Sequence, residues 1–200
     1  MLPSFLLCFH GTDVKTAEAI FAGKAHLKPS ENDYDWLGHG IYFWEYSPQR
    51  AYQFAQEKFK WQKKKDKVAV VGAIIDPGLC FNLLDASSLG FLEYGYEALL
   101  EDRGSIDLLP KNGDGKELWK RQLDCAVINM VHQIRTETQS EDWVKKNPRK
   151  PSLASYDTVR GAFWEGGPIY NGARIEKKNH VQICVRNLDA IKGYFRPIED

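Results

Sequence analysis

"WLGHGIYFWE", residues Trp36–Glu45, decides how the rest of the chain is read. Its second half is β-branched and aromatic and reads as a buried strand. It is entered through Gly38-His39-Gly40 and ends on an acid, Glu45. Glycines in regular structure cost about 0.5–1 kcal/mol each, so this pair marks a place where the backbone must bend or approach something closely. Ser47-Pro48 follows as an N-cap and an N1 proline. It opens the helix "QRAYQFAQEKFKW", where Tyr52, Ala55 and Phe59 recur at helical spacing.

Upstream, "SFLLCFHGT" reads as a short buried strand running into a turn. Thr12 or Asp13 then caps a helix, "VKTAEAIFAGK", with Ala17, Ile20 and Phe21 on one face and Gly23 as its stop. Downstream, "KVAVVGAIIDPG" is a β-branched strand closed by Asp76-Pro77-Gly78, and "LCFNLLD" is expected to continue it or pair with it. The middle third turns helical. "GKELWKRQLDCAVINMVHQI" sets Leu123, Val127, Met130, Val131 and Ile134 on one stripe, with Gly113 to Gly115 as its leading turn. Thr136 to Ser155 reads as a loop, and "TVRGAFWEGG" and "HVQICVRN" as two late strands joined by "PIYNGARIEKKN". No crossover helix separates the late strands, so the order predicts an α+β fold with a mixed or mostly antiparallel sheet and flanking helices. Two hundred residues at 43% hydrophobic content are expected to form a single domain, residues 1–200.

Lys plus Arg and Asp plus Glu both number 27, so any attraction to nucleic acid or an anionic surface must be local. Three basic clusters stand out. Lys58, Lys60, Lys63, Lys64, Lys65 and Lys67 surround Trp61; Lys145, Lys146, Arg149 and Lys150 lie near Trp143; Arg174, Lys177 and Lys178 precede the last of the strands read above. Each is either a solvated face or part of a nucleic-acid track, with lysines on phosphates and aromatics on bases. "FLLCF" lacks a basic leader and is too short for a signal peptide or a membrane span, giving the expectation of a soluble, cytoplasmic protein with no membrane partner. Cys8, Cys80, Cys125 and Cys184 are widely separated and read as reduced core thiols, with disulfides as the alternative. The five histidines have no metal-ligand spacing, so no metal is expected. Rossmann, P-loop and serine-hydrolase motifs are missing from the sequence, which removes those readings.

What remains is a set of polar residues on or at the ends of strands: His10, Gly11, Thr12, Tyr42, Glu165 and Gln182. "FHGT", a helix, and then "GHGIYFWEYSPQRAYQFA" resembles the first two motifs of the poly(ADP-ribose) polymerase-like, His-Tyr-Glu branch of the ADP-ribosyltransferase superfamily. "NHVQICVRN" is similar in position to the third motif. The resemblance covers both ends of the chain and hardly touches Leu79 to Ser155. It implies a split β-sheet with flanking helices and NAD as substrate. His10 would bond the adenosine ribose, Gly11 would admit the carboxamide to the backbone, Thr12 would complete that motif, and Tyr42 would stack on the nicotinamide. Gly38 and Gly40 would let the chain bend at the cleft mouth.

The third position departs from the pattern, because Gln182 stands where a glutamate is usual. Glutamine can bond a ribose hydroxyl but offers neither a base nor a full negative charge. Glu165 is the nearest candidate acid, with Glu45 a further one. The resemblance therefore implies a single transfer of ADP-ribose to a macromolecule, with RNA, DNA and protein left open. It also suggests a toxin or phage-defence effector with an antitoxin protein as partner. The alternatives are an NAD glycohydrolase and a noncatalytic NAD-binding module. Structural readings stand beside these: Tyr42 as core packing, His39 and His180 as structural or solvent-facing, and Arg121, Asp124, Asp157 and Arg160 as ion pairs framing the sheet.

Overall fold

A computed structural model describes residues 5–114 and 119–198. Along the chain come β1 (Leu6–Asp13), α1 (Val14–Phe21), β2 (Ile41–Glu45), α2 (Pro48–Trp61), β3 (Val68–Ile75), β4 (Cys80–Asn82) and α3 (Ala86–Arg103). Then follow α4 (Gln122–Glu137), α5 (Glu141–Lys146), β5 (Thr158–Phe163), β6 (His180–Val185) and β7 (Ile191–Phe195). The strands make one mixed sheet in the order β4-β5-β6-β2-β1-β3-β7. Every neighbouring pair is antiparallel except β4–β5. With its flanking helices this is an α+β arrangement.

Alternation along the strands sorts side chains to two faces. On the first, Ala17 and Ile20 of α1 pack over Leu6, Cys8, Ile41, Phe43, Val71, Ala73 and Ile183. On the second, Ala51 of α2 meets Phe9 and Trp44, while Ile128 and Val131 of α4 meet Phe81, Val159 and Cys184. Helix α3 backs onto α4 through Leu99 and Val127. The second face is thus covered by α2 over the β1 side and by α4 over the β5 side.

Several expectations are corrected. β4 pairs with β5, not with β3, because the Asp157 carboxylate takes the Leu79 amide at 2.8 Å and seats the strand there. β6 is not the last strand: "IKGYF" forms β7 against β3, leaving β6 in the middle of the sheet. The 136–155 segment is not all loop, since α4 runs to Glu137 and α5 follows, capped by Ser140, whose Oγ accepts from the Trp143 amide at 3.3 Å. On α2 the buried residues are Arg50, Ala51, Ala55 and Phe59, whereas Tyr52 is exposed. The Ser47 side chain makes no capping bond. α4 begins at Gln122; its proposed leading turn ends at Gly115, which lies outside the described residues. The four cysteines are free thiols, three of them buried. Among the described residues, no helix is long and apolar enough to cross a membrane.

Burial of histidine makes stability depend on pH. Burial first, then the Arg186 and Arg135 charges, hold the His132 pKa down at about 3, against an ordinary 6.5. Between those values the unfolded chain binds a proton that the folded one does not. Stability is therefore complete above about pH 6.5 and falls as pH drops, by up to ~1.4 kcal/mol per unit for this residue. His10 and His180, also lowered by burial, act with the same sign. Urea unfolding is expected to show a lower midpoint at about pH 5 than at about pH 7.5, with His132→Gln shrinking the difference.

Candidate active site

The sheet has a weak seam at its centre. β1 and β2 pair through only Cys8–Glu45 and Phe9–Trp44, although the same two strands hold longer ladders with their outer neighbours. Beyond that point the His10 imidazole serves the Tyr42 carbonyl, donating Nδ1–H at 2.7 Å. The turn before β2 is pressed onto its neighbours. A Cβ on Gly40 would fall 2.6 Å from Cys184 Sγ and from the Val185 carbonyl, and Gly38 has φ +77°. The Tyr42 hydroxyl ties the turn down, accepting from the Leu37 amide and donating to the Gly38 carbonyl, both at 2.8 Å. Close approach to β6 and α4 thus accounts for the Gly-His-Gly sequence, and it sets Trp36 beside Gln182.

On the second face a polar cluster gathers from α2, β6 and the segment after β5. Arg50, only 5% exposed, contacts the Glu165 carboxylate directly through Nη2. Glu57, two turns along α2, stands 3.7 Å from the same nitrogen and accepts from Lys178 Nζ at 2.6 Å. His180 donates Nδ1–H to the Lys178 carbonyl at 2.7 Å. A carbonyl only accepts, so Nε2 keeps its lone pair. Burial lowers the His180 pKa against the opposing effects of that bond and of Glu165, whose carboxylate is 3.8 Å away. Two residues on and on the same face, Gln182 accepts from Trp36 Nε1 at 2.6 Å.

Aromatic rings wall the cluster. Trp44 lies 6.0 Å from His180 and 4.7 Å from Phe54; Phe163 lies 5.7 Å from His180 and 5.0 Å from Trp36. Among the described residues, the buried side-chain polar atoms without a hydrogen-bond partner are Trp44 Nε1, Arg50 Nε, Arg50 Nη1, His180 Nε2 and His132 Nε2. Each such atom costs about 1–3 kcal/mol. All but the last belong to this cluster. Beyond the Trp36–Phe163 pair, a groove of about 580 Å³ continues between α3, α4 and β5, with Arg121 and Tyr96 in its lining. The Arg121 guanidinium sits 5.1 Å from the Phe163 ring centre.

Glu165 thus meets Arg50 and His180, while Gln182 lies two residues along the same face of β6, bonded to Trp36. Gly11 and Tyr42 lie toward the same face, but Tyr42 is half-buried and its hydroxyl is engaged by the turn. Burial, more than its charged neighbours, pushes that phenol well above its ordinary range. His10 and Thr12 point to the first face, where the His10 ring meets Phe43 at 5.8 Å. Glu45 is not in the cluster; its carboxylate is held by Arg160. Arg121 does pair with Asp124, at 3.4 Å. Arg50 and His180 were missed by sequence reasoning. His180 was legible in principle, because any strand that turns Gln182 into the site turns His180 there too.

Gly11 has a packing role. A Cβ there would meet the Ala51 carbonyl at 2.2 Å and Ala55 Cβ at 2.7 Å, so α2 lies directly on the β1 backbone. Gly11→Ala must lift the helix that carries Arg50, and a loss of about 1–3 kcal/mol is expected in thermal unfolding. An unchanged midpoint would deny that contact.

No family model matches the chain. No solved structure matches it. A stretch of 59 residues is 44% identical to the uncharacterized protein MJ0359 of Methanocaldococcus jannaschii. That stretch covers 30% of this chain and spans 24% of the length of the archaeal protein.

Proposed function

We propose that this protein cleaves NAD and transfers ADP-ribose once to a macromolecule, releasing nicotinamide. The observation that carries the reading is the meeting of Glu165 and His180 with the buried Arg50 in an aromatic-walled site, with Gln182 two residues along the same face of β6 and bonded to Trp36. Those residues sit beside the strands whose His-Gly and Gly-Ile-Tyr-Phe sequences resemble the ADP-ribosyltransferase motifs. In the reaction the bond from ribose C1′ to the nicotinamide nitrogen breaks, and its electron pair leaves with nicotinamide. Positive charge develops on the ribose, where the Glu165 carboxylate stabilises it and Gln182 bonds a hydroxyl. A nucleophile of the acceptor then bonds to C1′ and gives its proton to the Glu165 carboxylate, which is 28% exposed where His180 is 2% exposed. Arg50 orients Glu165 through its direct contact with the carboxylate. A single transfer fits a site whose strand position carries glutamine.

The test is incubation with NAD labelled on the adenylate phosphate, with cell RNA, DNA and protein as separate acceptors. Label on one class together with free nicotinamide is the expected result. Nicotinamide without labelled macromolecule would mean a glycohydrolase, and the absence of both products would overturn the reading.

A further inference from the structure

We propose that single-stranded nucleic acid docks on a row of aromatic rings, the half-buried Tyr34 and the exposed Trp119 and Trp61, and on the lysines at the end of α2. As the acceptor class for the neighbouring site, this rests on the transferase reading; as a binding surface, it does not. The Tyr34 and Trp119 rings lie 5.3 Å apart at 85°, and Trp119 and Trp61 lie 6.3 Å apart at 66°. Trp61 is 71% exposed and Trp119 43% exposed. Large rings left in water by a chain with a well-filled core mark an interaction surface. Steeply inclined to one another, they leave ring faces on which separate bases can stack.

Charge selects the occupant. Between residues 57 and 67 stand Lys58, Lys60, Lys63, Lys64, Lys65 and Lys67 against Glu57 and Asp66. Glu57 is already engaged by Lys178 and Arg50, so the local excess is positive although the whole chain is balanced. Lys120 Nζ sits 5.5 Å from the Trp119 ring centre. Asp33 and Asp35 flank Tyr34, where they accept from Gln122 and Asn32. Phosphates are therefore directed to the Trp61 side. Lysines for a backbone and ring faces for unpaired bases fit a single strand; a duplex has no free base faces to offer.

Position ties the row to the site. Arg50, Phe54, Glu57 and Trp61 share one stripe of α2, so Trp61 stands about 16 Å along the helix from Arg50. Tyr34 is two residues from Trp36, and Trp119 is two residues from Arg121, which lies against Phe163. A strand on the row would run toward the Arg50–Glu165–His180 cluster.

Fluorescence anisotropy with labelled oligo(dT) and oligo(U) of about 15 nucleotides tests the surface without NAD. Trp61→Ala and Trp119→Ala are each expected to weaken binding about tenfold. Joint reversal of Lys63, Lys64 and Lys65 to Glu should flatten the salt dependence by roughly 0.7 in logarithmic slope per lost phosphate contact. Trp61 is exposed enough that its loss leaves the fold alone, so equal affinity of that variant and the wild type overturns the proposal. So does a duplex bound as tightly as the single strand, or labelled protein with no oligonucleotide binding. Binding that depends on the row, without nicotinamide release, sustains the surface and fails the transferase reading.

Discussion

Glu165→Gln is expected to leave the protein folded but less stable, since the buried Arg50 then keeps only Glu57, 3.7 Å away, as an anionic neighbour, and to lower the rate of nicotinamide release from NAD by at least about a hundredfold, with kcat carrying most of the loss. The amide keeps the shape of the side chain and an oxygen for Arg50 Nη2, whose contact with Glu165 draws the segment after β5 onto α2. What disappears is the negative charge that, in the proposed reaction, faces the developing positive ribose. Removing one preorganised electrostatic partner typically costs about 10²–10³ in rate. Steady-state kinetics on the variant, with urea unfolding as the check on fold, separate this from a structural effect. Activity within a factor of about two of wild type would remove Glu165 from the chemistry, since a mere positioning contact survives in the amide.

The largest stability effect is expected from Glu45→Ala. Glu45 accepts from Arg160 Nε at 2.6 Å and from Arg160 Nη2 at 3.0 Å, and the two side chains are 9% and 13% exposed. Arg160 also reaches Asn82 Oδ1 at 3.3 Å, so one guanidinium ties β2, β5 and β4. Truncating the acid leaves that cation buried and unpaired, and about 3–5 kcal/mol of stability should be lost. A double replacement, Glu45→Met with Arg160→Met, should recover much of it, because the cost lies in the stranded charge. A loss below about 1 kcal/mol for Glu45→Ala would place the pair among solvent-screened surface bridges. Glu45 thus acts on the sheet, from the face opposite the polar cluster.

Local signals in the chain were read well where structure depends on neighbours in sequence. β1, β2, β3, β5 and β6 follow runs of β-branched and aromatic residues, and α1 starts where Asp13 accepts from the Thr16 amide at 2.8 Å. The helix after Ser47-Pro48 was legible, but its inward face was not: Arg50 is buried against a carboxylate, Glu165, that lies 115 residues away in sequence. β7 escaped, and β4, read as continuing or pairing with β3, has another partner: each exists through the strand it lies against, β3 for β7 and β5 for β4.

By itself, then, the sequence determined an α+β chain, its main strands, the helix after β2, and a short list of polar residues at strand ends. Only the tertiary structure decided which of those residues meet. Strand alternation sends His10 and Gln182 to opposite faces, and the interior place of β6 brings His180 beside Glu165, with Gln182 next along the same face. The physical reason is range. Periodicity and capping act over a few residues, whereas a site made of Arg50, Glu165 and His180 is set by sheet order, by the close packing of α2 on Gly11, and by desolvation that only the assembled core imposes.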